Sequence, residues 1–200
     1  ISDSHESITV HLMIGATRYV MLGARGTAKI NLSASGVPHI EFEFTGLWTQ
    51  PSEETRPTPA FTAWKQGQIA TNANTTTFEI DSTPLVLRSL MLDLGNQVET
   101  RFLIGSEAVL ITDKADALEM TVEAVPLTTL DPFDLAYGED TVALELVHGT
   151  GAGKIATLDV PRMQMQRPQG LSNAQNIKEW PLRGAPIPGS GNDQWTLTLT

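Results

Sequence analysis

Residues 39–45 have the sequence H-I-E-F-E-F-T, and this stretch decides the fold class. In an extended chain, Ile40, Phe42 and Phe44 share one face and the two intervening glutamates share the other. A period of two residues excludes an amphipathic helix, whose apolar positions recur every three or four residues. The stretch therefore predicts a half-buried β-strand.

The same alternation recurs along the chain. Leu118, Met120 and Val122 alternate with polar residues, and Gly, Pro, Asn or Asp punctuates most of the β-rich runs. About a dozen short strands predict a mainly β protein with an antiparallel sandwich or barrel topology. The further runs cover residues 8–14, 19–22, 27–32, 77–80, 85–94, 98–103, 108–112, 142–147, 155–160 and 195–199.

One segment instead has the signals of a helix. The sequence at 131–138 is D-P-F-D-L-A-Y-G, in which Asp131 suits the capping position and Pro132 the first helical position. We expect one short α-helix at about residues 131–138, flanking the sheet.

A long loop is predicted at about residues 49–76, which are rich in proline, threonine and asparagine. Phe61, Trp64 and Ile69 lie inside it. A loop that contacts only solvent has no need of three large apolar side chains. We therefore expect them to dock, either on the loop's own domain or on a neighbouring subunit.

Composition excludes several classes of protein. The chain has 200 residues, enough for one large or two small domains, and a formal net charge of −10 from 13 basic and 23 acidic residues. An acidic surface neither displaces the counterions of nucleic acid nor docks on an anionic membrane. The absence of cysteine excludes disulfides and thiol chemistry, and no apolar run is long enough to span a membrane.

We find no catalytic constellation. Residues 149–154 (G-T-G-A-G-K) have one residue too few for a phosphate-binding loop and are followed by Ile155 instead of Ser or Thr. The four histidines are scattered, and the Glu41/Glu43 pair is best explained as the solvent face of a strand. The sequence thus predicts a protein that is not an enzyme, with no cofactor and no metal site.

Arg25 lies between glycines in G-A-R-G-T at residues 23–27. A turn there would expose the guanidinium, which could bind a neighbour's carboxylate in a bidentate fashion. An ordinary hairpin turn with a solvated arginine explains the same residues equally well.

A weak internal repeat relates residues 20–48 to residues 154–184. We accordingly expect residues 1–48 to be the C-terminal strands of a first β module, residues 49–75 an inter-subunit loop or linker, and residues 76–200 a second module. Because the chain starts at Ile1 without a methionine, we also expect the native product to extend N-terminally.

An ordered set of short stretches resembles a known family. Together they look like the C-terminal two-thirds of the tail tube proteins (major tail proteins) of long-tailed bacteriophages and prophages. The stretches are L-G-A-R-G-T at 22–27, I-E-F-E-F-T-G-L-W at 40–48, L-D-L-G-N-Q-V at 92–98, I-G-S-E at 104–107, I-T-D at 111–113, L-V-H-G-T at 146–150, D-V-P-R at 159–162 and G-S-G-N-D at 189–193.

The resemblance implies a virion protein without a catalytic site. Subunits would form rings of six chains, or of three chains with tandem modules, and the rings would stack into a hollow tube that conducts DNA to the host. Assembly would take place in the host cytoplasm. The implied partners are other copies of the chain, the tape measure protein and DNA transiently in the lumen, and the tail terminator and distal tail proteins at the ends.

The conduit interpretation assigns candidate residues to two surfaces. A conduit must not hold its cargo, so an acidic lumen is expected, and anchors are needed between subunits. The lumen candidates are Glu41, Glu43, Glu119 and Glu123, and the subunit-interface candidates are Arg25, Phe61, Trp64 and Ile69.

Two other functions fit the same sequence. A carbohydrate- or receptor-binding β-sandwich of a phage tail tip would need an exposed aromatic platform, for which the four tryptophans are candidates. The inner tube of a phage-derived bacteriocin or contractile injection machine would share the tube fold.

Overall fold

The computed structural model describes residues 6–138 and 140–200. Strands make up 57% of the chain and pair antiparallel, and α1 (Pro132–Gly138) is the one helix in this part of it. The mainly β fold class, predicted from residue alternation, and the one short helix, predicted from its capping signals, are confirmed.

Fifteen strands lie in the described ranges. They are β1 (Ile8–Ile14), β2 (Thr17–Ser33), β3 (His39–Trp48), β4 (Ser52–Glu53), β5 (Thr75–Ile80), β6 (Thr83–Pro84), β7 (Leu87–Asp93), β8 (Asn96–Leu103), β9 (Ser106–Lys114), β10 (Ala117–Glu123), β11 (Thr141–His148), β12 (Ala156–Met165), β13 (Ser172–Ala174), β14 (Ile177–Pro186) and β15 (Thr196–Leu199).

Contacts between residues divide the chain into two compact units. Unit 1 comprises the described residues up to Ala28, then Glu41–Trp64 and Leu94–Ala115. Unit 2 comprises Lys29–Ile40, Lys65–Asp93 and Asp116–Thr200. The two β modules predicted at residues 1–48 and 76–200 were inferred from a sequence repeat, and a division by contacts does not test a repeat. The two modules therefore stay a prediction.

Unit 2 contains the hydrophobic core. Its strands follow the order β2 (residues 29–33), β7, β10, β14, β12, β11, β5 and β6, with β13 on β14 and β15 on β12. Ile80, Leu92, Val122, Val160 and Met163 have no solvent exposure. Alternate side chains of these strands join one apolar cluster, whose burial is the main force holding unit 2 together.

Strand β10 confirms the predicted alternation in both respects. Leu118, Met120 and Val122 are buried, whereas Glu119 and Glu123 are half-exposed. Pairing on both sides, with β7 and β14, holds the strand centrally in the sheet, so that its apolar face meets the core.

Helix α1 begins as its sequence predicts. The Oδ1 atom of Asp131 accepts hydrogen bonds from the backbone N–H groups of Phe133 and Asp134, at 3.0 Å each. These bonds satisfy two donors that the first turn leaves free. The ring of Phe133 meets Trp180 edge to face with centroids 6.4 Å apart, which seats the helix on β14.

Two polar anchors complete unit 2. Glu179 is buried, and its Oε1 accepts a hydrogen bond of 2.6 Å from Nε of Arg88. This bond, together with the negative charge of Glu179, raises the pKa of Arg88 above its ordinary value. A buried carboxylate without such a partner would be strongly destabilising.

Near the C-terminus, Asp193 closes a tight turn. It accepts hydrogen bonds from the N–H groups of Ser190, at 3.0 Å, and Gly189, at 2.8 Å, and it lies 3.2 Å from a guanidinium nitrogen of Arg162. The two backbone bonds, with a smaller contribution from Arg162, lower the pKa of Asp193.

Unit 1 has a different character. Strands β1, β3 and β4 pair with β2, and β8 and β9 form a separate two-stranded hairpin. Among the described residues of this unit, the buried apolar side chains are those of Ala24, Ala28 and Val109. Unit 1 is therefore sheet with little core of its own.

The half-burial predicted for residues 39–45 is wrong for the single chain. The strand forms as β3, but Phe42 is 63% exposed and Ile40 and Phe44 are exposed too. The alternation gave the strand and its two faces correctly. Most of the apolar face is uncovered, although the ring of Phe44 lies against Gly26 of β2.

Candidate assembly surfaces

Arg25 lies inside a continuous strand, and the predicted turn at residues 23–27 is wrong. Strand β2 runs through this segment and unites the two runs predicted at 19–22 and 27–32. The glycine pair misled the prediction because Gly23, with a φ of +55°, forms a β-bulge: Ile8 pairs with Ala24 but Val10 with Met21.

The guanidinium of Arg25 has a partner within its own unit. It donates a hydrogen bond to the carbonyl oxygen of Val109, in β9. Arg25 is half-buried there, so it joins β2 to the β8–β9 hairpin. Its role at a subunit interface stays a prediction.

The base of the hairpin is fixed to β2 by further bonds. The side chain of Asn96 donates to the carbonyl of Gly26 over 3.0 Å, and its backbone N–H donates to the hydroxyl of Thr27 over 3.2 Å. The N–H of Leu94 bonds to the carbonyl of Ala28 at 3.0 Å. These contacts hold the base of the β8–β9 hairpin against β2.

Strand β3 presents two chemically distinct faces. The rings of Phe42 and Phe44 stack with centroids 5.9 Å apart and planes 13° from parallel. Glu41 and Glu43 are exposed and point to the opposite face, since neighbouring residues of a strand alternate. One side of β3 therefore suits an apolar contact and the other side a solvated, acidic surface.

Glycine lets the apolar face of β3 approach β2 closely. A Cβ atom on Gly26 would lie 2.5 Å from the ring of Phe44, and one on Gly46 would lie 2.2 Å from Cγ of Met21. Both separations are far below van der Waals contact, so a side chain at either glycine would displace its neighbour.

The loop candidates divide between the two units. Phe61 and Trp64, in unit 1, meet edge to face with ring centroids 5.5 Å apart, and they are 61% and 75% exposed. Ile69 is also exposed but belongs to unit 2, where its carbonyl accepts a 2.9 Å bond from Asn74. The pair does not bury itself on its own domain, one of the two alternatives that the sequence left open.

The acidic candidates also differ from one another. Glu119 lies 3.0 Å from a guanidinium nitrogen of Arg183, its partner across β10 and β14. Glu123 is half-exposed at the end of the same strand. The ion pair partly offsets the charge of Glu119, and all four glutamates stay candidates for an acidic surface.

Sequence reasoning missed the tip of the β8–β9 hairpin. Phe102, Leu103 and Ile104 are all exposed there, and Ile104 is fully so. The available signal was Ile104 in a two-residue turn, a position where polar residues or glycine are usual.

Similarity to known proteins identifies the family. A family model described as phage tail tube protein matches residues 2–200, essentially the whole chain. The chain belongs to the phage tail tube protein family. A comparison with curated proteins found no match.

Membership gives this tail tube protein its general role. It is a structural component of a bacteriophage virion, and members of its family assemble with themselves into a tube. A structural family is consistent with the expectation that the chain is not an enzyme.

Two features are absent from the described part of this tail tube protein: a cluster of metal-ligating side chains and a helix that could cross a membrane. In residues 6–138 and 140–200, no group of three or more His, Asp or Glu side chains is placed to hold a metal ion. Nor does any helix there have the length and apolar character that crossing a bilayer requires.

Proposed function

We propose that copies of this chain close into rings that stack into a hollow tube, and that the tube conducts DNA from the capsid to the host during ejection. The observation that carries the proposal is the uncovered apolar surface of unit 1. Neighbouring copies would cover it, because exposed apolar area of this kind marks an association surface.

Strand edges support ring formation. Strand β1 ends the strand order on one side of β2, and the β8–β9 hairpin pairs only with itself among the described residues. Unpaired edges are templates for strands of another chain, and closing a ring removes them. Six chains, or three with tandem modules, would complete the ring.

The lumen would be acidic, with Glu41, Glu43, Glu119 and Glu123 as the candidate contributors. The net charge of −10 supports this assignment, as does the position of both β3 glutamates opposite Phe42 and Phe44. Negative groups repel phosphate, so DNA would pass without the counterion release that drives binding.

The other partners follow from the same role. The tape measure protein would occupy the lumen before DNA, and the tail terminator and distal tail proteins would cap the ends. Assembly would proceed in the host cytoplasm. Arg25, Phe61, Trp64 and Ile69 remain the interface candidates, with the Phe61–Trp64 pair the most exposed of them.

Electron microscopy of the purified protein at high concentration tests the proposal. We expect hollow tubes whose channel is wide enough for a DNA duplex, about 20 Å across. Three-fold averaging of rings would support tandem modules, and six-fold averaging would support one module per chain. Discrete particles that never polymerise would contradict the proposal.

A charge reversal tests the acidic lumen. Tubes of Glu41→Lys/Glu43→Lys should retain DNA at low salt and release it as salt rises. The matched control is Glu145→Lys/Asp159→Lys, an exposed cross-strand pair of unit 2. Equal DNA retention by both variants would contradict the assignment.

The Phe61–Trp64 pair favours one other function, a carbohydrate-binding module of a tail tip. Exposed aromatic rings are suitable platforms for sugar rings, and this pair is exposed on both members. Glycan binding by particles that do not polymerise, lost in Trp64→Ala, would favour this second function. Loss of tubes in Trp64→Ala without any glycan binding would favour the first.

A further inference from the structure

The tip of the β8–β9 hairpin is apolar without a structural reason. Strands β8 and β9 pair from Asn96 with Lys114 to Leu103 with Ser106, so Ile104 and Gly105 alone form the turn. Gly105, with a φ of +85°, supplies the left-handed conformation that the turn needs. The turn does not require an apolar residue at position 104, because a polar residue there would make the same turn and remain solvated.

The hairpin is held at its base and exposed at its end. The bonds from Arg25 to Val109 and from Asn96 to Gly26 attach it to β2. From Glu99 to Glu107 every side chain is exposed. An isolated two-stranded hairpin is only marginally stable in water, so this anchoring keeps the tip ordered before it meets a partner.

Unit 2 offers a cleft of suitable chemistry. It has a volume of about 520 Å³, and its wall combines apolar residues such as Leu32, Phe78 and Leu85 with polar ones such as Thr71 and Thr77. Val86, which also lines the cleft, is 63% exposed. The volume falls within the roughly 300–1,000 Å³ typical of ligand pockets, and the apolar part of the wall can take up an apolar side chain.

One cation beside the tip can pair with an anion in the cleft. Glu79 is the one charged residue among those that line the cleft. Arg101 directly precedes the apolar tip, and Glu99 and Glu107, the cross-strand partner of Phe102, also flank it. Copies of a chain with net charge −10 repel each other overall. Local pairing of a cation with an anion would fix the register of the contact against that repulsion.

We propose that the tip formed by Phe102, Leu103 and Ile104 inserts into the cleft beside Val86 of a second copy of this chain. The proposal deepens the tube proposal and rests on it, since it names a contact by which copies would join. The tip and the cleft are different surfaces, so the contact is heterologous. A heterologous contact that does not close generates an open filament, as a tube of unlimited length needs.

Cysteine cross-linking tests the contact directly, because the chain has no cysteine of its own. Single variants Ile104→Cys and Val86→Cys, both at exposed positions, are mixed and oxidised, or treated with a short bismaleimide. We expect covalent dimers from the mixture and a ladder of higher oligomers from the double variant. Because the partners in the mixture are separate chains, its dimers cannot arise within one chain.

The matched control replaces the cleft cysteine with Leu171→Cys, an equally exposed position of unit 2. Its mixture with Ile104→Cys should cross-link at least tenfold less. Dimers of Ile104→Cys alone would indicate a tip-to-tip contact and would overturn the proposal.

Microscopy of the wild-type protein separates the two proposals. Tubes without the Ile104–Val86 cross-link would overturn the tip contact and leave the tube proposal standing. The cross-link in protein that forms no tubes would support the contact and overturn the tube. Neither tubes nor cross-link would overturn both.

A charge swap checks the register independently. Arg101→Glu should lower the yield of the Ile104–Val86 cross-link severalfold, by placing two glutamates together. Adding Glu79→Arg should restore most of the yield. A substitution that acts only by disturbing its own strand would not be rescued by the second one. Failure of Glu79→Arg to restore the yield would therefore contradict the proposed register.

Discussion

Units 1 and 2 use the same kind of strand sequence in opposite ways. In unit 2, alternating apolar residues such as Leu92 and Val122 have no solvent exposure. In unit 1, equally regular alternation in β3 leaves Phe42 and Phe44 exposed. The difference indicates that unit 2 is folded around its own core, and it supports our proposal that the apolar residues of unit 1 contact other copies.

The same contrast holds for arginine. Arg88 of unit 2 stabilises a buried carboxylate, so its partner belongs to the core. Arg25 of unit 1 holds the hairpin, whose tip is exposed. Arginine thus neutralises a buried carboxylate in unit 2 and anchors an exposed hairpin in unit 1.

The largest expected effect is on the core of unit 2. Leu92→Ala, at a residue with 0% exposure, should lower the free energy of unfolding by about 2–5 kcal/mol, because it leaves a cavity. Urea unfolding at low protein concentration measures it.

The matched control is Leu12→Ala, since Leu12 lies in β1 of unit 1 and is 56% exposed. It should change the free energy of unfolding by no more than about 0.5 kcal/mol. Equal losses for the two leucines would mean that unit 1 has a core after all.

The second effect concerns assembly. Phe42→Ser should leave the unfolding of the single chain nearly unchanged but raise the critical concentration for polymerisation. If a neighbour buries this ring, its loss is worth about 1.5–3 kcal/mol, or roughly 10- to 150-fold in concentration. Sedimentation of polymer across a dilution series measures the change.

Leu171→Ser, an exposed apolar residue of unit 2, is the control for this comparison. It should shift the critical concentration much less. If both variants shift it equally, the comparison between the units fails.

A third, smaller effect is expected at the hairpin. Arg25→Ala removes the donor to the carbonyl of Val109 and should loosen β8 and β9 by about 1–3 kcal/mol. Hydrogen exchange of the amides in β9 should accelerate, while exchange in β10 stays constant. Acceleration in both strands would show that Arg25 supports the whole fold, not the hairpin alone.

The smallest effect is a pH dependence confined to unit 2. Because the pKa of Asp193 is lowered in the folded chain, its ionised form stabilises the 189–193 turn above the unfolded value of about 3.9. That contribution is lost as the pH falls through the lowered value. The amide resonances of Gly189 and Ser190 should therefore titrate together in NMR spectra, with a midpoint below about 3.9.

Asp193→Asn should abolish this titration, because an amide side chain does not ionise. A midpoint at or above the ordinary value for aspartate would contradict the hydrogen-bond account of the turn.

The sequence predicted elements well where local chemistry decides them. Alternation located β3 and β10, and Asp131 with Pro132 located α1, since both signals depend only on neighbouring residues. Alternation failed on burial in β3, because it identifies the apolar face of a strand but not whether the same chain covers that face.

The missed features depend on contacts distant in sequence. The glycines around Arg25 are compatible with a turn or a bulge, and pairing with β1 decides for the bulge. The exposed apolar tip at Ile104 can be identified only once β8 and β9 are known to pair on either side of it. Neither pairing can be derived from composition or spacing.

Hydrogen–deuterium exchange of the dilute chain and of the assembled protein tests the central claim most directly. We predict that assembly slows exchange in β1, β3 and the β8–β9 hairpin of unit 1, and leaves the core strands β10 and β12 of unit 2 unchanged. Polymer in which unit 1 exchanges as fast as in the dilute chain would contradict the claim that its apolar surface exists for contacts between copies.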